Sequence, residues 1–219
     1  MKFAQSRLLI PFSLGLALFA GSAAAQQSAD SALIRRVDDH YNHLTTLRAR
    51  YTEHYTGMGL DRSESGTLTL RKPGLMRWSY DTPTGKVFVL DGKFGWFYTP
   101  GDPQVSRTPA KQLDDLRSPL RLLLGHTELA KELDNMTTAA DGAGFRISGV
   151  PKGMSQRLRL LTLIVSTTGA IERMRLEETD GAVTEFTFTD IEENVSVKAS
   201  DFTFAAPPGV PIIDGAAPI

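Results

Sequence analysis

The chain has 219 residues, a formal net charge of −1, 41% hydrophobic residues and no cysteine. Without cysteine there is neither a disulfide framework nor a thiol for lipid attachment. The near-neutral balance, with no basic block, argues against a nucleic-acid partner.

Residues 1–25 read as a secretory leader. Lys2 and Arg7 give a positive start, Leu8 to Ala20 is a mainly apolar run, and Ala23-Ala24-Ala25 fits a small-residue cleavage site. The run is too short to span a bilayer comfortably, and the residue after the cut is Gln26. Residues 26–219 then form one exported domain, a length that supports a substantial core.

After a loose lead-in, Leu33, Val37, Tyr41 and Leu44 recur at helical spacing. This predicts an amphipathic helix from Ser31 to about Leu47, capped by Asp30 or Ser31. A strand follows with Ala49, Tyr51, Glu53 and Tyr55 on one face, ending in a Gly57-Met58-Gly59 turn. From Gly66 to Tyr98 the breaks Lys72-Pro73-Gly74, Thr82-Pro83-Thr84-Gly85 and Asp91-Gly92 divide an aromatic-rich antiparallel meander. Met76, Trp78 and Tyr80 share a face by the two-residue period, as do Phe88 and Leu90, and Phe94, Trp96 and Tyr98. A short strand around Val105 continues it.

Between Lys111 and Leu133 a helical insert is predicted. It opens at Ser118-Pro119, runs through Leu120, Leu122, Leu123 and Leu124, breaks at Gly125 and resumes from Glu128. A second β block follows, over 145–150, 157–165, 171–178 and 183–191, with turns at 166–169 and at Asp180-Gly181. Its strands carry one apolar and one charged face, as in a sheet covered on one side. The tail, with Phe202 and Phe204 before Pro207-Pro208-Gly209, reads as a docking segment and an extended end.

Catalytic chemistry is sparse. His40 and His43 stand three apart beside Asp39 without further ligand spacing, so a solvated helix face accounts for them better than a metal. No GxSxG, P-loop or GxGxxG run occurs. The acids Glu177 and Glu178 point to opposite faces of a strand and cannot flank one bond. The aromatic wall either packs a core or lines a pocket, and periodicity alone leaves both open.

The run from Gly66 to Tyr80, GTLTLRKPGLMRWSY, resembles a segment of the outer-membrane lipoprotein carrier family, LolA. Asp91-Gly92-Lys93 with Trp96-Phe97-Tyr98 continues the likeness, and Asp201-Phe202-Thr203-Phe204 with Pro208-Gly209-Val210 resembles the family's closing signature. The resemblance implies an incompletely closed antiparallel β-barrel, or strongly curved sheet, with a helical lid. It also implies a non-enzymatic periplasmic carrier, monomeric and without cofactor or metal. Such a carrier takes acylated lipoproteins from an ATP-driven release complex of the inner membrane and passes them to an outer-membrane receptor lipoprotein. By position the resemblance puts Met76, Trp78, Tyr80, Phe88, Leu90 and Trp96 on the lipid-binding wall and Leu120, Leu123 and Leu124 in the lid. Lys72, with Arg71 as the alternative, takes the place of the latch. Three departures stand out: Lys72 where arginine precedes the proline, Glu53 where glutamine is common, and Arg121 in the lid. A carrier of another lipid or a lipoprotein-sensing domain is the competing reading, and an exported hydrolase the third. On the carrier reading, a charge at Met76 or Trp78 should spoil binding before it spoils folding.

Overall fold

The computed structural model describes residues 20–116 and 128–215, with residues 20–29 and 114–116 described by backbone alone. The expected lid residues Leu120, Leu123 and Leu124, together with Arg121 and the Ser118-Pro119 start signal, lie outside the described residues, as do residues 1–19 of the leader.

Helix α1 spans Ala20–His43, longer at its start and shorter at its end than the sequence pattern predicts. Asp30 does not cap it; its carboxylate instead accepts a hydrogen bond from Thr138 Oγ1. The helix stops because the β-branched pair Thr45-Thr46 is claimed by strand contacts. Thr45 donates through N and Oγ1 to Asn194 Oδ1 (3.0 and 2.9 Å), and Thr46 Oγ1 donates to the Val195 carbonyl at 2.7 Å.

Strands β1 (Thr46–Gly57) and β2 (Leu60–Arg71) form a long hairpin. Its two-residue turn, Met58 and Gly59, has positive φ at both positions (52° and 77°), the geometry that matches strand twist. β3 (Leu75–Tyr80), β4 (Val87–Asp91), β5 (Phe94–Tyr98) and β6 (Val105–Pro109) continue the meander. Helix α2 begins at Ala110, ahead of the predicted Ser118-Pro119 start, and runs to Leu116. Its Leu113 fills the space that Gly95 leaves over β5. A short helix α3 (Leu129–Glu132) leads into β7 (Leu133–Asp141), a strand the sequence pattern does not predict. β8 (Gly144–Pro151), β9 (Leu158–Val165), β10 (Ile171–Glu178) and β11 (Val183–Glu193) follow the predicted boundaries closely.

These strands make one sheet with the order β12-β6-β5-β4-β3-β2-β1-β11-β10-β9-β8-β7, where β12 (Ile212–Asp214) pairs parallel with β6. The predicted extended tail therefore ends in a strand. β7 and β12 stand at opposite edges, so the sheet is open rather than a closed barrel. It is strongly curved. Trp78 on β3 and Phe186 on β11 are three strand spacings apart, about 14 Å in a flat sheet. Their rings nevertheless approach to 5.4 Å. One sharp approach occurs at Gly66, where a Cβ would overlap the Ser79 carbonyl oxygen and meet the Tyr51 ring at 2.8 Å.

The core lies on the concave side. Leu33, Val37 and Tyr41 of α1 pack with Ile147, Leu161, Leu163 and Met174, and these join Leu47, Leu68, Leu70 and Met76. The convex side of β3–β5 is covered by the tail. Phe202 is buried there, and Phe204 lies against Trp96 and Tyr98 at 5.7 and 6.2 Å between ring centroids.

Candidate functional site

The concave face changes character along the strands. At the end near α1, cross-strand register aligns Leu47, Leu70, Met76 and Leu90. The next row holds Ala49, Leu68, Trp78, Phe88 and Phe97. Then come Phe188, Tyr51, Gly66 and Tyr80, and beyond them Met174, Phe186, Glu53 and Glu64. Tyr51, Trp78, Phe186 and Phe188 form a continuous aromatic group, with Tyr51 edge-on to Trp78 at 4.5 Å and Phe186 stacked on Phe188 at 6.3 Å. The buried indole N–H of Trp78 finds Met76 Sδ at 2.9 Å. Tyr80, Phe97, Leu176 and Phe186 are only partly buried and form the accessible margin of this surface.

Of the expected wall residues, Met76, Trp78, Tyr80, Phe88 and Leu90 share the concave face. Trp96 does not. Register pairs it with Val89 and Arg107, so it lies on the convex face. There its Nε1 donates to Asp91 Oδ2 at 2.7 Å and its ring packs on Phe204. The aromatic that β5 contributes to the concave side is Phe97, opposite Phe88. In Phe94-Gly95-Trp96-Phe97-Tyr98 aromatics occupy both faces, so alternation identified a face without saying which one was inward.

The accessible end of the concave face is polar on one side. Glu53 and Glu64 are direct cross-strand partners. Lys86 is paired with Glu64, and its ammonium sits 4.2 Å from the Tyr80 ring centroid. Burial first, and the charge of Glu64 second, raise the pKa of Glu53 above the ordinary carboxylate value. Where the folded protein keeps a proton that the unfolded chain has lost, stability falls as pH rises. Glu53→Gln, neutral throughout, is therefore expected to melt higher than wild type at about pH 8, the difference shrinking towards zero by about pH 4. Thermal scans at the two pH values check this; identical curves at both would show a fully solvated Glu53.

The C-terminal turn of α1 is fastened to the sheet. Lys72 Nζ donates to the Tyr41 carbonyl at 2.6 Å, and the Ile171 amide donates to Tyr41 Oη at 3.0 Å. His40 Nε2 lies 2.7 Å from Glu193 Oε1, and Arg36 donates to the Thr167 carbonyl at 3.0 Å. Lys72 thus reaches a helix carbonyl, in α1. Arg71 is directed the other way, its guanidinium 5.6 Å from the Phe202 ring on the convex face, which separates the two expected latch residues. Removing a charged donor from a helix C-terminus costs about 1.5 kcal/mol. Lys72→Leu should accordingly lower the melting temperature by about 3–6 °C, while Lys72→Arg, which keeps a donor, should change it little. Circular dichroism melts would reveal a silent Lys72→Leu, and with it a contact that does not hold the helix.

His43 Nδ1 donates to the Asp39 carbonyl at 2.7 Å, and no group of three or more His, Cys, Asp or Glu among the described residues could hold a metal ion.

Comparison with known proteins agrees with this architecture. A family model described as outer membrane lipoprotein carrier protein LolA matches residues 42–205. An outer-membrane lipoprotein carrier protein of Pseudomonas aeruginosa (strain UCBPP-PA14) is 28% identical over 204 residues, covering 92% of this chain and 97% of its own. One of Azotobacter vinelandii is 30% identical over 194 residues, covering 87% and 92%. Among solved structures, a conserved protein from Thermus thermophilus superposes with a TM-score of 0.52 at 13% identity, over 85% of this chain and 99% of that one. A DUF1329 family protein from Desulfovibrio piger gives a TM-score of 0.50 at 13% identity, over 80% and 96%. At such identities the likeness is one of fold.

Proposed function

The chain belongs to the LolA family of outer-membrane lipoprotein carriers, and from that premise we propose that it carries acylated lipoproteins through the periplasm on its concave face. The family is one of carriers rather than enzymes. The observation that carries the reading is the aromatic group of Tyr51, Trp78, Phe186 and Phe188, continuous with the partly buried margin of Tyr80, Phe97 and Leu176. Such a surface can extend an acyl chain's contact from the margin inward.

Each methylene removed from water contributes roughly 0.8 kcal/mol, so a few chains give a large gross affinity. Release without a nucleotide in the periplasm requires an opposing term. The fastened helix α1 supplies one, because separating it from the sheet exposes Leu33, Val37 and Tyr41 to water. On this reading the leader is removed after Ala25, cargo arrives from an ATP-driven release complex of the inner membrane, and a receptor lipoprotein of the outer membrane accepts it. The carrier works as a monomer.

Native mass spectrometry of the protein isolated from its own periplasm tests this. A complex with a triacylated or diacylated protein is the expected result. Bound free phospholipid with no lipoprotein would favour the carrier of another lipid, and the absence of any acylated adduct would overturn the reading.

A further inference from the structure

The hydroxyl of Tyr51 stands out on the concave face. Tyr51 is 2% exposed, and its Oη makes no hydrogen bond among the described residues. The hydroxyl of Tyr80 is a near neighbour, yet Tyr51 Oη is left without a partner. Native interiors rarely leave such a group unpaired, and a phenylalanine would pack the same ring without the penalty. Two residues along the same face of β1, Glu53 is half-buried and has no hydrogen bond to a described residue. Lys86 is committed to Glu64. The result is one donor and one acceptor, two residues apart on one face of β1, where the apolar wall gives way to the polar end.

An acyl chain ends in a polar linkage of one of two kinds. An ester offers acceptors only, whereas a secondary amide offers a carbonyl and an N–H. We propose that Tyr51 and Glu53 form a subsite for the amide at the head of an amide-linked acyl chain, the Tyr51 hydroxyl donating to the amide carbonyl and the Glu53 carboxylate accepting from the amide N–H. The subsite rests on the carrier reading and adds to it a preference among acylated molecules. The apolar wall takes the chain, and the subsite identifies the linkage. Glu53 accepts through an oxygen whether or not it is ionised, so its raised pKa is compatible with the role. Tyr51, held over Gly66 and against Trp78, is positioned before cargo arrives.

The test uses the full mature protein with two probes, an N-palmitoyl tetrapeptide and its analogue in which an ester replaces the acyl amide. Affinities are read by calorimetry for wild type, Tyr51→Phe and Glu53→Leu, with thermal melts alongside. Wild type should prefer the amide roughly 5- to 10-fold. Tyr51→Phe should fold with an unchanged or higher melting temperature and weaken both probes by a similar factor, since both have a carbonyl. Glu53→Leu should weaken the amide alone and erase the preference. Should Tyr51→Phe fail to fold, the wild-type preference and the Glu53→Leu result still decide. Equal wild-type affinity for the two probes, or variants that bind like wild type, would overturn the subsite and leave the carrier reading standing. If neither probe binds wild type, the carrier reading itself falls, and the subsite with it.

Discussion

Phe186→Glu should abolish acyl uptake in a protein that still folds, whereas Met76→Glu should not fold at all. Met76 is 0% exposed, set between Leu70 and Leu90 in the row of the concave face nearest α1. A carboxylate there has no water and no cationic partner in its row, and the lost methionine packing adds a further 2–5 kcal/mol, roughly. The sum exceeds what most domains of this size can absorb. Phe186 lies in a different setting. It is partly exposed, opposite Met174 and Glu53, so an added carboxylate reaches solvent and the loss is that of its ring contacts with Phe188 and Trp78, together with repulsion from Glu53. Folding should fall by about 1–2 kcal/mol, while a charge at the margin blocks the path of an acyl chain. The pair is read by thermal melting and by uptake of an acylated client. Normal uptake by folded Phe186→Glu would move the binding surface elsewhere. For Met76 this reverses the sequence expectation that binding fails before folding, because burial there is complete.

Gly66→Ala should destabilise the domain by about 3 kcal/mol, the upper end for an inserted methyl. The methyl would overlap the Ser79 carbonyl oxygen, a backbone atom with no freedom to yield, and would press on the Tyr51 ring at 2.8 Å. Gly66 pairs with Tyr51 on one side and Tyr80 on the other, so relief requires shifting β2 against β3 at the centre of the aromatic group. A fall in melting temperature of about 6–12 °C is expected. Adding Tyr51→Leu should recover only part of it, because the Ser79 overlap remains. Full recovery would show that the ring alone requires the glycine.

Alternation and turn residues made most of this architecture legible. Asp91-Gly92, Ser166 to Gly169 and Asp180-Gly181 sit at the hairpin turns predicted for them, with Gly92, Gly169 and Gly181 at positive φ. The period of two cannot name a strand's neighbours, so nothing in it announced that β1 pairs with β11. β7 was invisible because Leu-Asp-Asn-Met-Thr-Thr-Ala-Ala-Asp is a mostly exposed edge strand with little apolar alternation to betray it. The site was legible in part. Met76, Trp78 and Phe88 could be grouped by face, while Trp96 and Phe97 could not be told apart on a strand aromatic on both sides. Glu53 was noticed as a departure from a family pattern, but its partner Glu64 and the unpaired hydroxyl of Tyr51 follow from register and depth, which a linear chain does not display.

The pairing of β1 with β11 has a kinetic corollary. Leu47 meets Glu193, so the ladder that joins the two halves of the sheet closes a loop that takes in every strand except β12. Strands β1–β6 and β7–β11 can each zip locally through short turns. Each half nevertheless presents one unsatisfied edge that only the other can complete, and loop closure of that length is slow. The rate-limiting event in refolding should therefore be the meeting of two preformed hairpin stacks. A nascent chain that has not yet delivered residues 183–193 has no way to finish.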